Sequence, residues 1–66
     1  MKSPLRKPVV QLIGQDGNAF AIMGRVRNAL KQAGGDHEYI EQYISQAMSG
    51  DYNNLLVVSM KYVDVR

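Results

Sequence analysis

The sequence predicts a small α+β domain of order β-α-α-α-β. A two-stranded sheet formed by the termini carries a helical hairpin on one face, with a short third helix before the last strand. Three observations predict it. Val9 to Ile13 are a β-branched apolar run opened by Pro8, which suits an edge strand. Two helix-spaced apolar stripes follow, joined only by Gly34-Gly35. The chain then reaches Tyr62-Val63-Asp64-Val65, whose alternation reads as a second strand with Val63 and Val65 on one face and Tyr62 and Asp64 on the other.

Residues 1–7, MKSPLRK, are polar and proline-bearing and are expected to be a flexible arm, leaving 8–66 as one domain. The first strand spans 9–13. Gly14 and Gly17 bracket a tight turn, after which Asn18 or Asp16 can cap a helix. That helix covers 19–33, where Ala19, Ile22, Met23, Val26, Ala29, Leu30 and Ala33 recur at three- and four-residue spacings. Glycine at 34–35 ends it, because glycine takes the left-handed C-cap conformation without steric cost. Asp36 caps a second helix over 36–48, with Tyr39, Ile40, Tyr43, Ile44, Ala47 and Met48 on its stripe. So short a link makes the two helices an antiparallel hairpin.

The segment from Asp51 is ambiguous. Val57 and Val58 favour a strand, whereas Asp51 ahead of Leu55, Leu56 and Met60 favours a capped helix. A helix over 52–59 followed by a strand over 61–65 satisfies both.

Size and composition exclude several classes. A chain of 66 residues buries only about 60% of the surface its unfolded form exposes. With no cysteine it has no disulfide, and His37 alone cannot supply a zinc site. Helix packing or self-association must compensate. The net charge of +2 is too small for a dominant attraction to phosphate. No apolar run of membrane-spanning length or signal-peptide character is present, so a cytoplasmic location is expected.

Taken together, LIGQDGNAFAIMGRVRNALKQAG, SGDY with LL following, and MKYVDV resemble a group of very short bacterial proteins found in genomes and mobile elements. The resemblance covers nearly all of the chain after residue 8. The group has no assigned activity, so the resemblance implies a cytoplasmic bacterial or phage protein and carries over no functional residues.

No residues have catalytic spacing, so no enzyme, cofactor or metal is expected. Gly14-Gln15-Asp16-Gly17 could hold an anion at a helix start, but its spacing matches neither a dinucleotide fingerprint nor a P-loop. Phe20, Gly24, Arg27 and Lys31 form a second stripe on the first helix. Phe20 either covers the sheet edge or, exposed beside Arg and Lys, stacks bases or docks a partner, and Gly24 suggests a close backbone approach. The first helix is basic at Arg25, Arg27 and Lys31. The second is acidic at Asp36, Glu38 and Glu41. Facing helices of opposite sign would attract within or between subunits, but exposed pairs contribute little and a solvated surface on each helix is the expected reading. The leading expectation is a non-enzymatic accessory or interaction module that pairs with itself, as a homodimer, or with another protein. Its candidate surface is Phe20, Tyr39, Tyr43, Met48 and Tyr52. The alternative is a small nucleic-acid-binding protein that uses Lys2, Arg6, Lys7, Arg25, Arg27 and Lys31.

Overall fold

The computed structural model describes residues 1–11 and 18–66. Strand β1 (Val9–Val10) leads to helices α1 (Ala19–Gln32), α2 (His37–Ala47) and α3 (Tyr52–Tyr62), and strand β2 (Asp64–Val65) closes the domain. The predicted order β-α-α-α-β and the α+β class are therefore observed. The strands are parallel, with Val9 opposite Asp64 and Val10 opposite Val65. The amides of Asp64 and Arg66 donate to the carbonyls of Pro8 and Val10 at 2.8 and 2.9 Å. A parallel pair needs a long crossover, and the three helices supply it. The rest of the predicted first strand, Leu12 and Ile13, and the Gly14–Gly17 turn lie outside the described residues.

Each helix start is capped by the residue type that the sequence suggests. Asn18 Oδ1 accepts from the amides of Phe20 and Ala21 at 2.9 and 3.4 Å. Asp36 Oδ1 accepts from Tyr39 and Asp51 Oδ1 from Asn54, both at 2.9 Å. These bonds satisfy amides that the helix itself leaves without partners.

α1 ends in a Schellman turn. Gly34 takes φ +105°, its amide donates to the Lys31 carbonyl, and the Gly35 amide donates to the Leu30 carbonyl at 2.8 Å. A Cβ at Gly35 would lie 3.0 Å from that same carbonyl oxygen. Only glycine fits both positions comfortably, and the tight turn folds α2 back along α1.

The core is one cluster. α1 contributes Ile22, Met23, Val26 and Leu30, and α2 contributes Ile40, Tyr43 and Ala47. α3 contributes Leu55, Val58, Ser59 and Tyr62, and Val10 and Val63 come from the strand segments. Tyr43 and Tyr62 meet edge-to-face with ring centroids 5.1 Å apart, and Tyr39 and Tyr62 do so at 5.3 Å.

The C-terminal boundaries need correction. α3 runs through Tyr62 rather than stopping at 59, so Lys61 and Tyr62 are helical and the strand begins at Asp64. The buried positions Leu55, Val58, Ser59 and Tyr62 have helical spacing. Met60, expected on the apolar stripe, is exposed. Tyr62 holds the last turn in place through its two ring contacts and a 3.0 Å hydrogen bond to Gln46 Oε1. Packing here overrides the strand propensity of the valines. Tyr62 and Val63 are both buried, because the helix-to-strand change falls between them.

Residues 1–7 form no helix or strand, but two of them bond to the body. The Lys2 amide donates to Asp36 Oδ2 at 2.7 Å, and the Asp36 amide donates back to the Lys2 carbonyl at 3.0 Å. Lys7 Nζ donates to the Met60 carbonyl at 3.0 Å, close to the negative end of α3.

Candidate interaction face

The start of α1, the end of α2 and the start of α3 meet at one end of the molecule. Phe20 is 75% exposed there, Met48 60% and Tyr52 41%. They line a groove of about 250 Å³ with Ala19, Met23 and Leu55. A second groove, of about 280 Å³, lies on the other side of Phe20 and Met48 and is lined by Gly24, Arg27 and Ile44. Phe20, Met23 and Met48 border both. The helix caps set this arrangement, since Asn18 fixes where α1 begins and Asp51 fixes where α3 begins after the Ser49-Gly50 corner. A Cβ at Gly50 would fall 2.8 Å from Asn54 Cβ, so the corner closes tightly. Asn54 Nδ2 and Ser49 Oγ both donate to the Gln46 carbonyl, which satisfies the end of α2.

The structure thus brings together three of the five residues expected at an interaction surface. Tyr43 is not among them, because its side chain is fully buried and its hydroxyl is 2.7 Å from Ser59 Oγ. Burial pushes the Tyr43 phenol pKa up. Tyr39 lies at the opposite end of α2, half-buried against Tyr62 and Gly35. Phe20 does not close the sheet edge. Gly24 admits no close neighbour within the chain, since a Cβ there would meet nothing within 4 Å among the described residues.

The second groove continues along the α1–α2 seam, where a larger concavity of about 660 Å³ shares Arg27 and Ile44 with it. Arg27, Asn28 and Lys31 form one lip, and His37 and Glu41 form the other, over Ile40 and Ile44. His37 Nε2 lies 3.0 Å from Glu41 Oε1, with both side chains exposed. The basic and acidic helices do not pair within the chain. Among the described residues the ion pairs are His37–Glu41 and Asp64–Arg66. The Arg66 guanidinium holds the Asp64 carboxyl below its ordinary pKa.

The cations expected to meet nucleic acid are dispersed. Arg25 lines a groove beside Val9, Val10 and Gln11, whereas Arg27 and Lys31 line the α1–α2 seam. Two residues apart on a helix means opposite sides, so Arg25 and Arg27 cannot form one stripe. Lys7 is engaged with α3 and the Lys2 backbone with Asp36, while Arg6 is exposed.

Among the described residues no group of three His, Cys, Asp or Glu side chains could hold a metal ion, and no helix is long and apolar enough to cross a membrane. Comparison with protein-family models, curated proteins and solved structures finds no match.

Residue spacing could not reveal that Gly24 opens onto a groove or that Asp36 holds the arm. Tyr62 had a sequence signal, the Leu55-Val58-Ser59-Tyr62 period.

Proposed function

We propose that this chain is a small non-enzymatic interaction module that self-associates through the face around Phe20 and Met48. The observation that carries this reading is the convergence of Phe20, Met48 and Tyr52, large apolar side chains exposed side by side at the meeting point of three helices. Single exposed apolar residues are ordinary, but an adjoining group that borders two grooves marks a contact surface. Gly24 supports the reading from a second direction. A glycine inside a helix costs about 1 kcal/mol against alanine, and among the described residues no contact requires it. A closely approaching partner would.

The dispersed cations give the nucleic-acid alternative less support than this face gives self-association. Sedimentation equilibrium over a wide concentration range tests the reading. The expected result is a mass that rises toward two chains and falls back to one in Phe20→Ser. A mass of one chain for the wild type at every concentration overturns it.

A further inference from the structure

The face has an internal order that specifies how a second copy would seat. α1 carries Arg25, Arg27 and Lys31 and no acidic residue, whereas α2 carries Glu38 and Glu41 and no Lys or Arg. The helices are antiparallel, so Phe20 on α1 lies level with Met48 on α2, and both border one groove. Further along, Arg27 and Lys31 on α1 lie level with His37 and Glu41 on α2. At two levels one lip of the seam therefore carries what the other lip attracts. Apolar Phe20 is matched with apolar Met48, and cationic Arg27 with anionic Glu41, which Lys31, one turn on and level with His37, flanks.

We infer that a second copy of this chain docks on the α1–α2 seam about a twofold axis running along the seam, with α1 of each protomer over α2 of its partner. This deepens the self-association reading and rests on it. A twofold axis in that direction keeps each residue at its own level and exchanges the two lips. Phe20 then meets the partner's Met48, and Arg27 and Lys31 meet the partner's Glu41. The operator applies each contact twice, as a closed isologous interface requires. Gly24 and Ile44 lie between the apolar and charged ends, and the open space at Gly24 admits the partner's helix.

Size is compatible. α1 is 14 residues and α2 is 11 residues long. That gives a face on the order of 20 Å by 20 Å, roughly 800 Å² in total over two flat copies and somewhat more with side-chain relief, the size of a weak, concentration-dependent interface. Charges free to reach a partner are the second requirement. Among the described residues Arg27 and Lys31 have no ion pair and none joins α1 to α2, while Glu41 is exposed and contacts His37 of its own helix, a contact that a partner's cation would share or displace. Tyr52, beyond the end of the seam, would sit at the rim.

Charge reversal tests the arrangement separately from self-association. Dimer dissociation constants are measured by sedimentation at about 50 mM salt, where exposed charges are weakly screened. Arg27→Glu and Glu41→Arg should each weaken the dimer by about tenfold, because the twofold repeats each repulsion. The combined variant Arg27→Glu/Glu41→Arg should return to within about threefold of wild type. Arg25→Glu, on the other side of α1, should change nothing. Lys31→Glu, alone and with Glu41→Arg, provides a second independent pair should either substitution disturb folding, which circular dichroism of the dilute protein monitors. The arrangement is overturned if Arg27→Glu acts no more strongly than Arg25→Glu, or if the combined variant is weaker than both single ones. In that outcome self-association still stands if Phe20→Ser abolishes it. A wild type that never dimerises overturns both.

Discussion

The hydroxyl of Tyr43 lies 2.7 Å from that of Ser59, and both side chains are fully buried between α2 and α3. Each hydroxyl satisfies the other in a region closed to water, so this pair ties the second helix to the third through polar as well as apolar contact. No side-chain polar atom is left buried without a partner among the described residues.

Ser59→Ala should destabilise the domain by about 1–3 kcal/mol, since it strands the Tyr43 hydroxyl. Tyr43→Phe should cost less, because a helical serine can turn its hydroxyl to the carbonyl four residues back. The double variant should cost clearly less than the sum of the two. Urea unfolding of all three variants measures this, and strict additivity would mean that the pair contributes nothing of its own.

Alkaline pH should weaken the fold. Burial raises the pKa of the Tyr43 phenol, and burial with the neighbouring Tyr39 raises that of Tyr62. The folded state therefore holds these protons more tightly than the unfolded chain, whose phenols titrate near about pH 10. The associated stability is fully present below that pH and is lost as pH rises through the raised folded values. Urea midpoints should be level through pH 8 to about 10 and should then fall. Tyr62→Phe should flatten the fall, and an unchanged slope in that variant would remove Tyr62 from the account.

Asp36 should matter more than an ordinary cap. Its Oδ1 receives the Tyr39 amide and its Oδ2 receives the Lys2 amide, and these bonds hold its pKa below the usual carboxylate value. That stability is present above the unfolded pKa and is lost as pH falls through the depressed folded value. Asp36→Ala should lower the thermal midpoint more than Asp51→Ala, which removes a cap bond of the same kind alone. Deleting residues 1–5 should bring the two variants closer together. Equal midpoints in the full-length chain would show that the Lys2 contact adds nothing.

Gly24→Ala separates folding from association. The new Cβ meets nothing among the described residues, so the dilute monomer should gain up to about 1 kcal/mol. The same methyl would obstruct the partner helix, so dimerisation should weaken. Thermal midpoints at low and high protein concentration read both effects. A gain that persists undiminished at high concentration would remove Gly24 from the interface.

Much of the fold was legible because each helix start carries a short polar cap and each stripe keeps a helical period. Asn18, Asp36 and Asp51 cap as their residue types suggest, and Gly34 takes the left-handed conformation that its place after α1 suggests. The end of α3 was placed too early, although the Leu55-Val58-Ser59-Tyr62 period signals it. Val57 and Val58 carry strand propensity, and the packing of Tyr62 between Tyr39 and Tyr43, with its hydrogen bond to Gln46, holds the helix past them to Tyr62, after which Val63 is extended. Half of the candidate face was visible as spare aromatic and methionine side chains. The stripe on α2 is wider in the sequence reading than in the fold: Tyr43 points into the core, whereas Met48, roughly 140° further round the helix, is exposed at the stripe's edge. That division depends on where α3 crosses α2, which is set by residues more than ten positions away.

Concentration-dependent amide chemical shifts locate the contact between copies residue by residue. If two copies meet along the α1–α2 seam, the resonances of Phe20, Gly24, Arg27, Ile44 and Met48 move together as protein concentration rises. Those of Gln11, Val57 and Lys61, away from the seam, stay in place. Shifts centred on Val57 and Met60, or none at all across the accessible range, would contradict the account.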